Sequence, residues 1–462
     1  MISGLKKRRS KAARSIHAVR AAEYGPWLEA QEPVWRRWLA DHDFAAKPGA
    51  WQTLPSENGA IESVLLCLGD EDDLWAWADL AASLPAHDYA VATKLDDAAA
   101  TTAAIGWALG TYRFDGFRAQ KKEAASAQLV LPTGADLDFM TAAAEAEFLG
   151  RDLINRPAND LGPTELATAA RNLARRHKAE CKVIVGDALL KANFPAVHTV
   201  GAGSPRTPAL VDIRWGRPRD PKVTLVGKGV TFDTGGLTVK TEAWMRNMKK
   251  DMGGAATVLA LAHLIMATGL RVRLRVLIPT VENSTSGSAY RPGDIVPTRK
   301  GLGIEVANCD AEGRVILADA LTAAAEEKPE LLIDVATLTG AARAALGPEI
   351  AAFFSSSDSL ARELDEASHK SQDPLWRLPL WAGYRRRIES TVGDILNLAP
   401  NDTAGAITAA LFLQEFVEGA EGWLHLDIFG WNDTARPGRP VGGEAAGLRA
   451  LYRLLATRYP AA

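Results

Sequence analysis

The 462-residue chain reads as an α/β protein: a smaller N-terminal α/β domain, then a larger C-terminal domain with a mostly parallel sheet flanked by helices. Three observations predict this. The length exceeds what one hydrophobic core ordinarily serves. Short mixed elements fill the segment from about 15 to 135, whereas strand and helix patterns alternate regularly from 160 onward. The second part also contains continuous apolar runs, as in a sheet covered on both faces.

Taken in order, "VWRRWLADHDF", "AIESVLLCLGD", "DLWAWADLAASL" and "HDYAVATKL" form a Trp-rich alternation of strand and helix patterns, the mark of a small α/β domain. The Pro–Thr–Gly turn of "LVLPTGAD" (129–136) ends it. The helical stretch "DFMTAAAEAEFLGRDLIN" then runs to the breaker "RPAND" (156–160). The expected division is an N-terminal domain at 1–140, serving regulation or assembly, a connecting helix at 141–160 and a catalytic domain at 161–462. Beyond it, "KVTLVGKGVTF" reads as one continuous buried strand, "GGAATVLALAHLIMATG" as a small-residue helix and "RVRLRVLIPTV" as the next strand. The loop "NCDAEGR", the helix "VILADALTAAAEEK" and the strand in "ELLIDVATLTG" follow, an order that implies parallel pairing through helical crossovers.

Apolar residues make up 47% of the chain and charged residues 24%, a globular composition. The formal charge of −3 gives no argument for nucleic acid or an anionic membrane as partner. Cys67, Cys181 and Cys309 lack CxxC spacing, which speaks against a disulfide framework and fits a reducing compartment, most simply the cytoplasm. The first twenty residues carry seven Lys or Arg and no acid, without the apolar core of a secretory signal; they are expected to be a solvated basic stretch. No later run of 18 or more apolar residues suggests a membrane span.

The charge pattern carries the chemistry. In "NCDAEGRVILADAL" (308–321), Asp310, Glu312 and Arg314 crowd the start of an apolar helix. In "GKGVTFDTGGLTVK" (227–240), Lys228, Asp233 and Lys240 flank a glycine pair at a strand end, and "MKKDMGGAA" (248–256) places Asp251 just before a helix. All four acids fall at loop–helix junctions after strands, and that carboxyl edge is where open α/β sheets bind ligands. Four converging acids stay ionised only if cations neutralise them. The candidates are Lys228, Lys240 and Arg314, or divalent metals, for which oxygen-rich sites are suited. HExxH and paired Cys ligands are absent, which speaks against a conventional zinc-protease site; two ions bridged by shared carboxylates, about 3.5–4 Å apart, would account for the acid count, as would ion pairs with those three basic residues.

These three blocks resemble the signature blocks of the leucine (cytosol) aminopeptidase family, whose usual third block is N-T-D-A-E-G-R-L. The resemblance continues through "DVATLTGAARAALG" (334–347) and "GAITAALFLQEFV" (405–417) into "WLHLDIFG" (423–430), so that it covers about 150–440. It implies a metal-dependent aminopeptidase that releases N-terminal residues from peptides with a free N-terminus. By the resemblance, Lys228, Asp233, Asp251, Asp310 and Glu312 bind two divalent ions, Mn²⁺ or Zn²⁺, with Mg²⁺ and Co²⁺ as other candidates. Lys228 would then be a neutral amine ligand. Lys240 and Arg314 match the two catalytic positions, the first to hold the developing oxyanion, the second to hold a bicarbonate ion as general base together with Gly313 and Leu338. Met248, Thr337 and Leu338 match substrate-binding positions, and a soft Met suits Leu-like or Met-like side chains. The family also forms hexamers.

The chain departs from the family pattern in four places: Cys309 replaces the usual Thr, Val315 the usual Leu, and bulky Phe429 and Trp431 stand where smaller residues are common. His425 and Asp427 suggest a dyad, but two residues apart on one buried strand they read as structural. Two rival functions remain at this stage. The glycine-rich "GKGVTFDTGG" can be read as a phosphate cradle for phosphoryl transfer, although it lacks the G-x-x-x-x-G-K-[ST] order. A DNA-binding role would rest on the basic start, and its mark would be salt-dependent retention lost on deleting residues 1–20.

Overall fold

A computed structural model describes residues 2–8, 10–70, 73–119, 126–401 and 403–461. The chain divides into two compact units, Met1–Phe148 with Thr434–Val441, and Leu149–Asp433 with Gly442–Ala462. The division falls inside the helix Leu137–Asn155.

The first unit is built on a six-stranded sheet. Its strands are β1 (Leu5–Lys6), β2 (Arg14–Arg20), β3 (Trp51–Pro55), β4 (Ile61–Leu68), β5 (Asp88–Val91) and β6 (Gln128–Val130). They are ordered β1-β6-β5-β2-β4-β3, all neighbours parallel except the edge pair β3–β4. The basic start is therefore not wholly solvated, contrary to expectation: residues 14–20 form an interior strand between β5 and β4. The reason lies between the charges, because Ile16, Ala18 and Val19 are buried. Charge is carried outward at exposed Lys7, Arg8 and Lys11, while Arg20 Nη1 donates to Gly69 O at 2.8 Å. The expected Trp-rich character is real: Trp77 and Trp107 fill one core of this unit, and Trp35 with Leu39 anchors another.

The second unit carries a nine-stranded sheet. Its strands are β7 (Glu180–Val185), β8 (Ala209–Trp215), β9 (Lys222–Gly227), β10 (Gly229–Asp233) and β11 (Arg273–Asn283). After a three-stranded side sheet of β12 (Ile295–Pro297), β13 (Gly303–Glu305) and, further on, β17 (Ile395–Leu396), the main sheet adds β14 (Leu331–Ala336), β15 (Ala351–Ser355), β16 (Leu375–Arg377) and β18 (Gly422–Asp427). The order is β16-β15-β18-β14-β9-β11-β8-β7, with β10 also beside β11. The centre β18-β14-β9-β11 is parallel, and antiparallel neighbours lie to either side. All six residues of β14 are buried, as a strand covered on both faces requires.

The run "KVTLVGKGVTF" differs from expectation. It is not one strand but two, β9 and β10, interrupted at Lys228. There the Lys228 N–H donates to Val335 O at 3.0 Å, and its own carbonyl accepts from Ala255 N–H at 2.9 Å. Lys228 thus keeps its N–H on β14 while its carbonyl turns from the sheet to the helix start, and both backbone groups stay satisfied.

The helix Gly253–Thr268 is apolar on every side and lies in the core. A Cβ on Gly254 would stand 2.0 Å from Val335 O, so glycine lets the helix start directly on β14. With the preceding turn, Met248–Thr268 is long and apolar enough to cross a membrane by length and composition alone, but 89% of its apolar window is buried in the fold.

Candidate active site

The carboxyl ends of the central strands meet over one cleft of about 710 Å³. Each chemical group arrives there for a local reason. Lys228 sits at the break between β9 and β10, and Asp233 ends β10. Gly235 and Gly236 follow with φ of 86° and 59°, the left-handed turn only glycine adopts readily, and it brings Lys240 back over Asp233. Asp251 lies in the short 3-10 turn Met248–Met252, Glu312 opens the helix Glu312–Ala325, and Thr337 and Leu338 follow β14. Lys228, Asp233, Lys240, Met248, Asp251, Asp310, Arg314, Thr337 and Leu338 line the cleft. Glu312 and Gly313 stand behind Lys228.

Two lysines thread the acids. Lys228 Nζ lies 2.8 Å from Asp251 Oδ2 and 2.9 Å from Glu312 Oε1, and donates to Thr337 O at 2.8 Å. Lys240 Nζ pairs with Asp233 Oδ2 at 2.8 Å and with Asp310. Burial works against both ammonium groups, but the surrounding acids outweigh it and hold both pKa values above the ordinary lysine value. The acids respond oppositely. Burial, then the charge of Asp233, pushes Asp310 up to about 6 and Glu312 well above the usual carboxylate range. Arg314 is buried, which lowers its guanidinium to about 10; its Nη1 donates to Asn397 O at 2.7 Å while Nε has no hydrogen-bond partner among the described residues.

The residues fit divalent metal on their own geometry. Ligand oxygens of Asp233, Asp310 and Glu312 lie within 4.8 Å of one another. Glu312 Oε2 is buried without a hydrogen-bond partner, a costly state that a cation relieves. Gly313 makes room for the Lys228 stem, since a Cβ there would lie 2.5 Å from Lys228 Cε.

Some supporting residues gave no signal as sequence. Asn283, at the end of β11, donates through Nδ2 to Asp233 Oδ1 at 2.8 Å and to Cys309 O at 3.0 Å. Thr337, expected as a substrate-binding residue, also donates through Oγ1 to Asp251 Oδ1 at 2.8 Å. Asp427 accepts the N–H groups of Leu338 and Thr339, both at 3.0 Å, and so fixes the loop after β14. Its signal was present, an acid at the carboxyl end of a buried strand. His425 does not join it: His425 Nδ1 bonds Asp334 Oδ1 at 2.6 Å, inside the core. Cys309 is buried, with Sγ 3.3 Å from Tyr290 O. The phosphate-cradle reading also fails on geometry. Gly235 N–H is engaged by Asp233 Oδ1 at 2.8 Å and Gly236 N–H by Thr234 Oγ1 at 3.2 Å, so the donors a phosphate needs are taken.

Interleaved carboxylates and amines at the carboxyl edge of a mostly parallel sheet define a hydrolase of the divalent-cation type. The chain belongs to the cytosol aminopeptidase family: the family's catalytic-domain model matches residues 148–452, and the M17 aminopeptidase N-terminal-domain model matches 15–132. A probable cytosol aminopeptidase of Syntrophotalea carbinolica is 43% identical over 366 residues, covering 76% of this chain and 73% of that protein. The crystal structure of a cytosol aminopeptidase from Coxiella burnetii superposes with a TM-score of 0.92 at 45% identity, covering 98% of this chain and 99% of that one. The bottromycin maturation enzyme BotP in complex with Mn gives a TM-score of 0.85 at 34% identity, covering 97% of this chain and 100% of that one. The protein is accordingly a metal-dependent exopeptidase that acts on peptides.

Proposed function

We propose that Lys228, Asp233, Asp251, Asp310 and Glu312 hold two divalent ions, and that Lys240 and Arg314 assist removal of the N-terminal residue. The observation that carries this is the buried, unpartnered Glu312 oxygen among acids otherwise balanced only by lysines. Bound there, the ions would supply a water of lowered pKa and a polarised carbonyl. Manganese is favoured, because BotP is described in complex with Mn and carries the same fold; zinc is the alternative.

The chain's own groups do the rest. Lys240, an ammonium at the cleft wall, donates to the oxygen on which charge develops. Lys228 serves as a ligand only after losing its proton, which the acids around it oppose until their charge is met by cations. Arg314 keeps one N–H group unengaged within a buried pocket, which suits a bicarbonate ion as proton acceptor, with the Gly313 N–H at the helix start and the Leu338 backbone beside it. Asp251 receives the free α-amine of the substrate, which an internal peptide bond lacks. Met248, Thr337 and Leu338 line the first side-chain position. By the same family likeness the chain assembles as a hexamer and works in the cytoplasm, and sedimentation of the purified protein checks the first.

The test is hydrolysis of aminoacyl-p-nitroanilides with and without chelator. Chelation abolishes turnover, Mn²⁺, Zn²⁺ or Co²⁺ restores it, and N-acetylated substrates stay intact. Turnover unchanged in strong chelator, or equal on the acetylated control, rejects the reading.

A further inference from the structure

The cleft contains a cation for which this mechanism has no use. Lys250 is only 7% exposed and lines the cleft. Among the described residues its ammonium has no carboxylate at ion-pair distance and no hydrogen-bond acceptor. The adjacent acid, Asp251, is already paired with Lys228 at 2.8 Å. Its neighbour Lys249 behaves ordinarily, donating to Asn155 O at 2.8 Å. What Lys250 touches is the ring of Phe429, with Nζ 4.8 Å from the centroid. Arg343 lies over the same ring at 4.0 Å and pairs, half-exposed, with Asp433 at 3.3 Å. Two cations therefore share one aromatic platform against a single exposed acid.

A charge largely withdrawn from water and without an anionic partner is costly, and an aromatic face compensates it only in part. An anion entering the cleft would complete the pair. The place of Lys250 indicates which anion. It precedes Asp251 in the chain, and Thr337, hydrogen-bonded to Asp251, packs against Gly430 beside Phe429. This wall is the one assigned above to the amine and the first side chain.

We propose that the first side-chain position selects a carboxylate: the enzyme takes peptides beginning with Asp or Glu, whose side chain pairs with Lys250 and, beyond the ring, with Arg343. The inference rests on the aminopeptidase reading and names its substrate class. The alternative carboxylate is the C-terminus of a short peptide, but Lys250 stands at the amine end of the site.

The test uses the metal-loaded enzyme and the p-nitroanilides of Glu, Gln and Leu, which have no C-terminal carboxylate. The expected kcat/KM for Glu exceeds that for Gln by at least about tenfold. Lys250→Met brings this ratio near one, and Lys250→Arg restores most of it. A merely structural lysine would lower both rates together and leave the ratio in place. A wild-type ratio at or below one, or a ratio unmoved in Lys250→Met, overturns the proposal. Should that variant not fold, thermal stabilisation of the wild-type enzyme by L-glutamate beyond that by L-glutamine supports it, and equal stabilisation overturns it. A preference for Gln-Gly over Gln-Gly amide that depends on Lys250, with a Glu/Gln ratio of one, assigns the lysine to the C-terminus and also overturns it. Absence of turnover on every anilide, Leu included, instead defeats the aminopeptidase reading and this inference with it.

Discussion

Gly313→Ala is a small change at a position where the structure leaves no room. The new Cβ would stand 2.5 Å from Lys228 Cε and 2.7 Å from both Cδ and Nζ. Ordinary carbon contacts lie at about 3.5–4.0 Å, so the lysine stem must retreat by roughly 1 Å. It cannot do so freely, because its side chain is 4% exposed and its ammonium is fixed by Asp251, Glu312 and Thr337 O. Overpacking of this kind costs about 1–3 kcal/mol. Alanine recovers about 1 kcal/mol over glycine in a helix, leaving a net loss of about 0–2 kcal/mol. Stability therefore changes little, whereas function changes much, since misplacing a site group by ~1 Å costs about 10²-fold. The assay pairs thermal unfolding with Mn²⁺ titration and anilide turnover. The expected variant melts within a few degrees of wild type, binds Mn²⁺ about tenfold or more weakly and loses about 10² in kcat/KM. A variant with wild-type metal affinity and rate, and a raised melting temperature, would refute the claim that Lys228 is held in place as part of the site.

Other perturbations separate the roles further. Lys240→Ala should keep its metal by elemental analysis and lose about 10²–10³ in kcat, as for loss of an oxyanion donor, and retained turnover would remove the role. Asp310→Asn should lose metal and activity while its circular dichroism stays native. Mn²⁺ affinity should climb as pH rises through about 6, where Asp310 loses the proton that burial and Asp233 favour, with protons released on binding; a flat titration from pH 5 to 7 contradicts this. Asp334→Asn leaves buried His425 without its anion and should cost about 3–5 kcal/mol in chemical denaturation. Burial lowers the His425 pKa but Asp334 more than offsets it, so the pair's contribution is full below the ordinary value of 6.5 and fades as pH rises through the raised one. The penalty of the variant should therefore shrink in alkaline buffer.

Much of the site was legible because its residue types are improbable where they stand. Acids at helix starts after apolar strands mark a ligand edge without any coordinates, and the signature blocks name a family. What stayed hidden depends on sheet order. The interruption at Lys228 is invisible in an apolar run, because it arises where the Lys228 carbonyl turns from the sheet to accept the Ala255 N–H. Asn283 supports Asp233 from fifty residues downstream, a contact created by the pairing of β10 with β11. Nothing in the sequence sets Lys250 apart from the adjacent Lys249; its burial and its place on the Phe429 ring do so only in the fold. In the first unit, charge counting alone concealed a strand whose apolar residues are spaced between arginines.

That strand changes how the basic start can be handled experimentally. Residues 14–20 are clamped on both sides by β5 and β4, so trimming the chain past residue 13 excises a rib from the middle of the sheet. A truncate that no longer retained DNA would then be reporting a collapsed domain. Reversing the charge of Lys7, Arg8 and Lys11, which sit outside the pairing, probes electrostatics and leaves the architecture standing.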